Sequence, residues 1–298
     1  MERAESMSRV LDAGYRMSLV PQDAASHCSV WSSTLETTGQ QAVFARNNGA
    51  TERDHVIRFF ALDPDNASSI HSCLRAARKN GWALRDTITA EMWGTLNSTW
   101  LEFRDIGEDD IARRGYPDLF DWVKERTSLF RGITDNTMLR DDAYAFVRVG
   151  WCLERAANTA RLLDAKYHVL LASAADVGGA VDYYQWGAVL RSVGALRAYH
   201  KIYDNEITPR RVAELLVLRE DMPRSMLACF NRLIESLDEL CTGRHYECRR
   251  LAGDLHESLR YAHIKEIFDA GLHEYLTGFV DRVGAIGTQI QRDFMMIA

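Results

Sequence analysis

Residues 1–20 read MERAESMSRVLDAGYRMSLV, and residues 153–172 read LERAANTARLLDAKYHVLLA. Set side by side without a gap, the two stretches agree at nine of twenty positions, among them Glu2/Glu154, Arg3/Arg155, Arg9/Arg161 and Asp12/Asp164. The likeness runs on at slightly larger offsets. Trp31, Leu35 and Gly39 match Trp186, Leu190 and Gly194, and residues 56–74 match 212–230 through Asp65/Asp221, Ser69/Ser225 and Cys73/Cys229. Self-similarity over such a span marks a tandem repeat. The seam falls near residue 140, which gives repeats 1–139 and 140–298 packed as a single globular unit.

Each repeat reads as helices. From Asp141 onward, Phe146, Val149, Leu153, Ala156, Ala160, Leu163, Tyr167 and Leu170 keep the three-four rhythm of one apolar helix face. That helix is expected over 141–174, with a stop at Asp176 to Gly179. Further helices are expected over 181–203, 209–217, 223–240 and onward to 298 after a break at Thr242-Gly243. Thr208 is placed to cap the helix that Pro209 opens. The first repeat predicts helices over 1–20, 24–45, 52–61, 67–104 with a break at Asn80-Gly81, and 117–130. Gly132-Ile133-Thr134-Asp135 reads as the loop between the repeats. No run alternates in polarity, so no sheet is expected. The fold class is all-α: a duplicated multi-helix bundle whose repeats are related by a pseudo-twofold axis. The second repeat carries a leading half-helix, Asp141 to Cys152, that the first lacks, so Met1 is expected to be an internal start.

The 298 residues are 47% apolar and 26% charged, a globular composition large enough to hold a core without disulfide or metal. A net charge of −6 offers no footprint for nucleic acid or anionic lipid. The sequence has no membrane-spanning apolar run, no signal peptide is expected, and the six cysteines show no CxxC spacing. They read as buried thiols in the reducing cytoplasm. Glu52 to His55 is the lone Glu-x-x-His, so no carboxylate-bridged metal site is expected. A phosphate-cradling glycine loop is missing too, and neither metal nor cofactor is expected. His245, His256, His263 and His273 read as surface or core histidines. Trp82, Trp93, Trp100, Trp122, Trp151 and Trp186 are expected between helices.

The repeated Glu-Arg-Ala-x-x-x-x-Arg-x-Leu-Asp is the most specific pattern in the chain. It resembles the paired Glu-Arg signature of the alpha-E family, bacterial helical proteins named for it. The resemblance extends through LDPDNASSIHSCLRAAR (62–78), EMWGTLN (91–97), GITDNTMLRDD (132–142) and GLHEYL (271–276). The chain departs from the family's pattern in the missing half-helix before Glu2, and at Gly150-Trp151-Cys152, where relatives tend to show Gly-Arg and an aromatic residue. The resemblance implies association with a circularly permuted ATP-grasp protein or a transglutaminase-like protein, in the making and processing of amide or peptide bonds. It assigns no catalytic residue.

The candidate polar site is the motif itself: Glu2, Arg3, Arg9 and Asp12, with Glu154, Arg155, Asn158, Arg161 and Asp164. On a helix Glu154, Asn158, Arg161 and Ala165 share a stripe, and Arg161 can pair with Asp164 three residues on. Such charges beside an apolar face are tolerated when paired. The expected pairing sets Glu2 against Arg155 or Arg161, and Glu154 against Arg3 or Arg9. Two functional classes stay open. A non-catalytic helical partner of an ATP-grasp or transglutaminase-like protein predicts an apolar, arginine-studded surface. An enzyme component acting on aminoacyl or peptide substrates predicts a pocket of converging charges near the motif helices. The leaning is toward the partner; oligomeric state is not readable.

Overall fold

Two serines, Ser69 and Ser225, begin helices that frame the core. Ser69 Oγ accepts the Ser72 amide at 3.0 Å and donates to the Asp63 carbonyl at 2.6 Å. Ser225 Oγ accepts the Ala228 amide at 2.9 Å and donates to the Arg219 carbonyl at 2.5 Å. A hydroxyl that satisfies an orphan amide and reaches back to the preceding turn fixes where a helix starts.

The computed structural model describes residues 1–19, 24–47, 50–170, 179–204 and 206–295. The stops expected at residue 20 and at Asp176 to Gly178 lie outside them. Every regular element among the described residues is helical. The chain forms two compact units, residues 1–35 with 39–140, and residues 36–38 with 141–298.

In the first unit α1 (Glu2–Ser18) is central, packed by α4 (Arg53–Ala61), α5 (Ile70–Ala83) and α8 (Tyr116–Thr137). The helix α6 (Ala90–Arg104) packs on α5 and α8, and α7 (Glu108–Arg114) leans on α8. Leu11, Trp31, Phe59, Phe60, Phe103 and Phe120 make its core. Before α4 lie α2 (Ala24–Thr37) and α3 (Gln41–Asn47).

In the second unit the central helix is α9 (Asp142–Leu170), packed by α12 (Pro209–Val217), α13 (Met226–Leu240) and α16 (Leu272–Met295). Its other helices are α10 (Ala180–Ser192), α11 (Leu196–Tyr203), α14 (Glu247–Arg260) and α15 (Ile264–Ala270). Met226, Phe230, Leu233 and Leu237 are fully buried at helical spacing along α13. Phe230 meets Phe279 of α16 edge-on at 5.5 Å. Thr208 caps α12, accepting the Arg211 amide at 3.4 Å.

Several expected boundaries are corrected. The stretches 24–45 and 181–203 each divide in two, at Gly39 (φ +66°) and Gly194 (φ +71°). These glycines adopt a left-handed conformation that stops a helix at little cost only when Cβ is absent. Asn80-Gly81 does not break α5. Gly81 is buried against Leu96, and the chain leaves the helix after Ala83 instead, until Thr89 caps α6. The expected loop at 132–135 lies inside α8: Phe130 and Thr134 are both buried one turn apart, and Thr134 Oγ1 donates to the Phe130 carbonyl at 2.8 Å. The final stretch is three helices, with turns after Arg260 and at Gly271. Trp82 packs only at the edge of the α5–α6 contact, against Trp93. It is 55% exposed, whereas Trp186 is buried.

Candidate functional site

Burial decides which motif charges matter. On α1, Glu2, Glu5 and Asp12 are all buried, with Glu5 fully excluded from solvent. Arg9 lies half-buried between them, and Arg3 is on the exposed side. Positions 2, 5, 9, 12 and 16 alternate in threes and fours, so acid and base share one stripe of the helix.

Cations reach that stripe from α1 and from α8. Arg9 clasps Glu5 through Nε and Nη2, at 2.9 and 2.7 Å. Arg131 Nη2 donates to Glu5 and, at 3.3 Å, to Glu2. Farther along, Asp12 Oδ1 accepts from Arg16 at 2.8 Å, and its Oδ2 accepts from Lys124 at 3.1 Å. Low residues of α1 meet high residues of α8, so the helices run antiparallel with a line of alternating charge between them. A buried carboxylate is stable in such a place only when paired and hydrogen-bonded.

The second unit treats its motif differently. Arg155 is buried, while Glu154, Asn158 and Arg161 are half-buried. Asn158 Nδ2 donates to the Glu154 carbonyl at 2.7 Å, and Arg161 donates to Asn158 Oδ1 at 3.3 Å. Asp164 meets His273 Nδ1 of α16 at 2.6 Å. That contact raises the imidazole above its ordinary value, because Asp164 stabilises the protonated ring. His273, which reads in the sequence as an ordinary histidine, is thus tied to the motif.

One buried cluster carries no signal in the sequence. Lys166 is fully buried, with its Nζ donating to Asp182 Oδ1 at 3.1 Å and Gln185 Oε1 at 2.6 Å, and lying 5.2 Å from the Trp186 ring centroid. Burial pushes its ammonium down to about 8.

A cleft of about 670 Å³ opens in the first unit among α6, α7 and α8. Six carboxylates line it against one guanidinium, Arg114, with Ile106, Ile111 and Trp122 as apolar walls. Asp121 on its rim also binds Lys124, 2.5 Å away, so the cleft and the motif's Asp12 share one lysine. Among the described residues, no group of three or more His, Cys, Asp or Glu is placed to hold a metal ion, and no helix is long and apolar enough to cross a membrane. Neither Lys124 nor Arg131 is adjacent to the motif in sequence, and only the fold brings them to it.

A search of curated proteins and of solved structures gave no match. The family model described as Alpha-E, a predicted alpha-helical domain with a conserved ER motif, matches residues 1–295. With almost the whole chain covered, and Glu-Arg pairs at residues 2–3 and 154–155 of its two central helices, this protein belongs to the Alpha-E family.

Proposed function

We propose that this Alpha-E chain is a non-catalytic helical partner of a circularly permuted ATP-grasp ligase or a transglutaminase-like protein, in a bacterial pathway that makes or processes amide or peptide bonds. The single observation that carries the non-catalytic part is the engagement of the buried acids along the motif-bearing helix of the first unit. Glu5 is held by Arg9 and Arg131, and Asp12 by Arg16 and Lys124. Carboxylates so placed stitch α1 to α8, which is the work of a scaffold. The identity of the partner comes from the family resemblance.

We also read the chain as a doubled ancestral unit. Three features support this: the matching caps of Ser69 and Ser225, the left-handed Gly39 and Gly194, and a motif-bearing helix at the centre of each unit. The test of the docking reading is co-purification of the two proteins, with and without ATP and amino acids. Stable capture of the ATP-grasp or transglutaminase-like protein is expected. Failure of both to bind under every condition would end the reading.

A second reading, an enzyme component acting on aminoacyl or peptide substrates, is favoured by the acidic cleft and its link through Lys124 to Asp12. Titration calorimetry with aminoacyl amides and short peptides tests it. Heat of binding that disappears in Asp118→Asn together with Glu125→Gln would favour it over the docking reading.

A further inference from the structure

The outer face of α5 is unusual for a protein of net negative charge. Arg75, Arg78, Lys79 and Trp82 follow one another at spacings of three, one and three, so they form one stripe of the helix. Trp82 and Leu84 are each 55% exposed. Trp82 rests on Trp93 of α6 with ring centroids 5.5 Å apart, and Arg85 lies 4.9 Å above the Trp82 ring. Arg78 is held over Trp93 at 5.7 Å by a 2.8 Å bond to Asn97 Oδ1. Among the described residues, Arg75, Arg78 and Lys79 make no ion pair, and Arg85 has only Asp86, 3.8 Å away and almost fully exposed. An exposed indole flanked by stacked guanidinium groups has the composition of an interface hot spot.

Its complement lies in the same unit. Six carboxylates line the cleft among α6, α7 and α8; Glu102, Asp105, Asp110 and Asp121 are paired with Arg126, Arg104, Arg113 and Lys124, whereas Asp118 and Glu125 make no ion pair among the described residues. Its apolar walls, Ile106, Ile111 and Trp122, give a tryptophan something to pack against. The two surfaces lie toward opposite ends of α6: Trp93 backs the stripe, and Glu102 lines the cleft. Nine residues of helix separate them by about 14 Å, farther than a lysine or arginine side chain extends. The stripe of a chain therefore does not reach the cleft of that same chain.

We propose that the Arg78-Lys79-Trp82-Arg85 face of one copy docks into the acidic cleft of a second copy. This is a heterologous contact, in which each copy offers one surface and receives the other, so the assembly extends into a chain or closes into a ring. It goes beyond the docking of a ligase partner and does not depend on it. Because the paired charges lie at the surface, association weakens with salt.

The test is sedimentation velocity on the purified full chain over a range of concentrations, at low and high salt. Two variants accompany the natural protein: Arg78→Glu with Lys79→Glu, which spoils the stripe, and Asp118→Lys with Glu125→Lys, which spoils the cleft. The natural chain is expected to grow beyond a monomer with concentration and to revert in high salt. Each variant alone is expected to stay monomeric. Mixed in equal amounts, they are expected to give a one-to-one dimer that grows no further, since one intact stripe and one intact cleft remain between them. A natural chain that is monomeric at every concentration overturns the proposal, as does either variant associating alone or a mixture that forms no dimer. Circular dichroism checks the folding of each variant. Should the stripe variant lose helix content, Trp82→Ala takes its place in the same mixture.

Discussion

Arg131, near the end of α8, donates to both Glu2 and Glu5 of α1 and joins residues 129 positions apart inside the first unit. Replacing it by methionine removes a cation from two buried carboxylates and fills the space with an apolar chain. Breaking a buried pair on one side costs 3–5 kcal/mol where nothing compensates. Here Arg9 still holds Glu5, and Arg131 is itself partly exposed, so Arg131→Met is expected to cost about 2 kcal/mol. Urea denaturation of the variant beside the natural chain reads this as a lower midpoint. An unchanged midpoint would mean that the charge line does not hold α1 to α8.

The serine caps give a second prediction. Ser225→Ala removes the acceptor for the Ala228 amide and the donor to the Arg219 carbonyl. A loss of about 1–2 kcal/mol is expected. Ser69→Ala should behave alike, because its hydroxyl makes the same pair of bonds. Thermal melts of the single and double variants test this, and the two costs should add because the sites are independent.

Lys166 predicts an unusual dependence on alkalinity. Its folded value, about 8, lies below the ordinary 10.5, so above pH 8 the unfolded chain binds the proton that the folded one has released. Stability is therefore expected to rise with pH from this group, by about 2 kcal/mol at pH 10. Tyr203 and Tyr275, pushed up to about 12 by burial, act in the opposite direction only above pH 10. Comparing denaturation of Lys166→Met with the natural chain between pH 8 and 10 isolates the effect. Parallel curves would show that the ammonium carries no penalty in the folded state.

His273 behaves with the reverse sign. Asp164 raises its folded value above 6.5, so its contribution is whole below that pH and is lost as pH rises through the raised value. Proton NMR of the His273 ring should show a titration above the ordinary range. In Asp164→Asn the titration should fall back toward it, and no movement between the two proteins would show that the contact is absent in solution.

Much of the fold is legible in the chain because it rests on local rules. Periodicity gives the long helices, and Thr208-Pro209 announces α12. What escapes is where glycine stops a helix. Gly39 and Gly194 turn left-handed, whereas Gly81 and Gly132 ride inside helices, and nothing adjacent in sequence separates the cases. Only packing does so, as when Leu96 fills the space beside Gly81. The motif acids were likewise visible, but their partners Lys124, Arg131 and His273 come from helices more than a hundred residues away. Sequence spacing says nothing about such encounters. Trp82 escapes for a related reason: an indole on a helix face reads as core until the neighbouring helix is seen to cover only part of it.

The long reach of Arg131 has a consequence during synthesis. At about 5–20 residues per second, Arg131 is made roughly ten seconds after Glu2 and Glu5. Until then those carboxylates must remain hydrated, and α1 cannot bury its acidic stripe for good. The pairs within the helix, Glu5 with Arg9 and Asp12 with Arg16, are available at once and can keep the nascent α1 wound while it waits. The first unit therefore closes late on the ribosome, when α8 arrives, and a pause or truncation before residue 131 would leave a helix whose acids still face water.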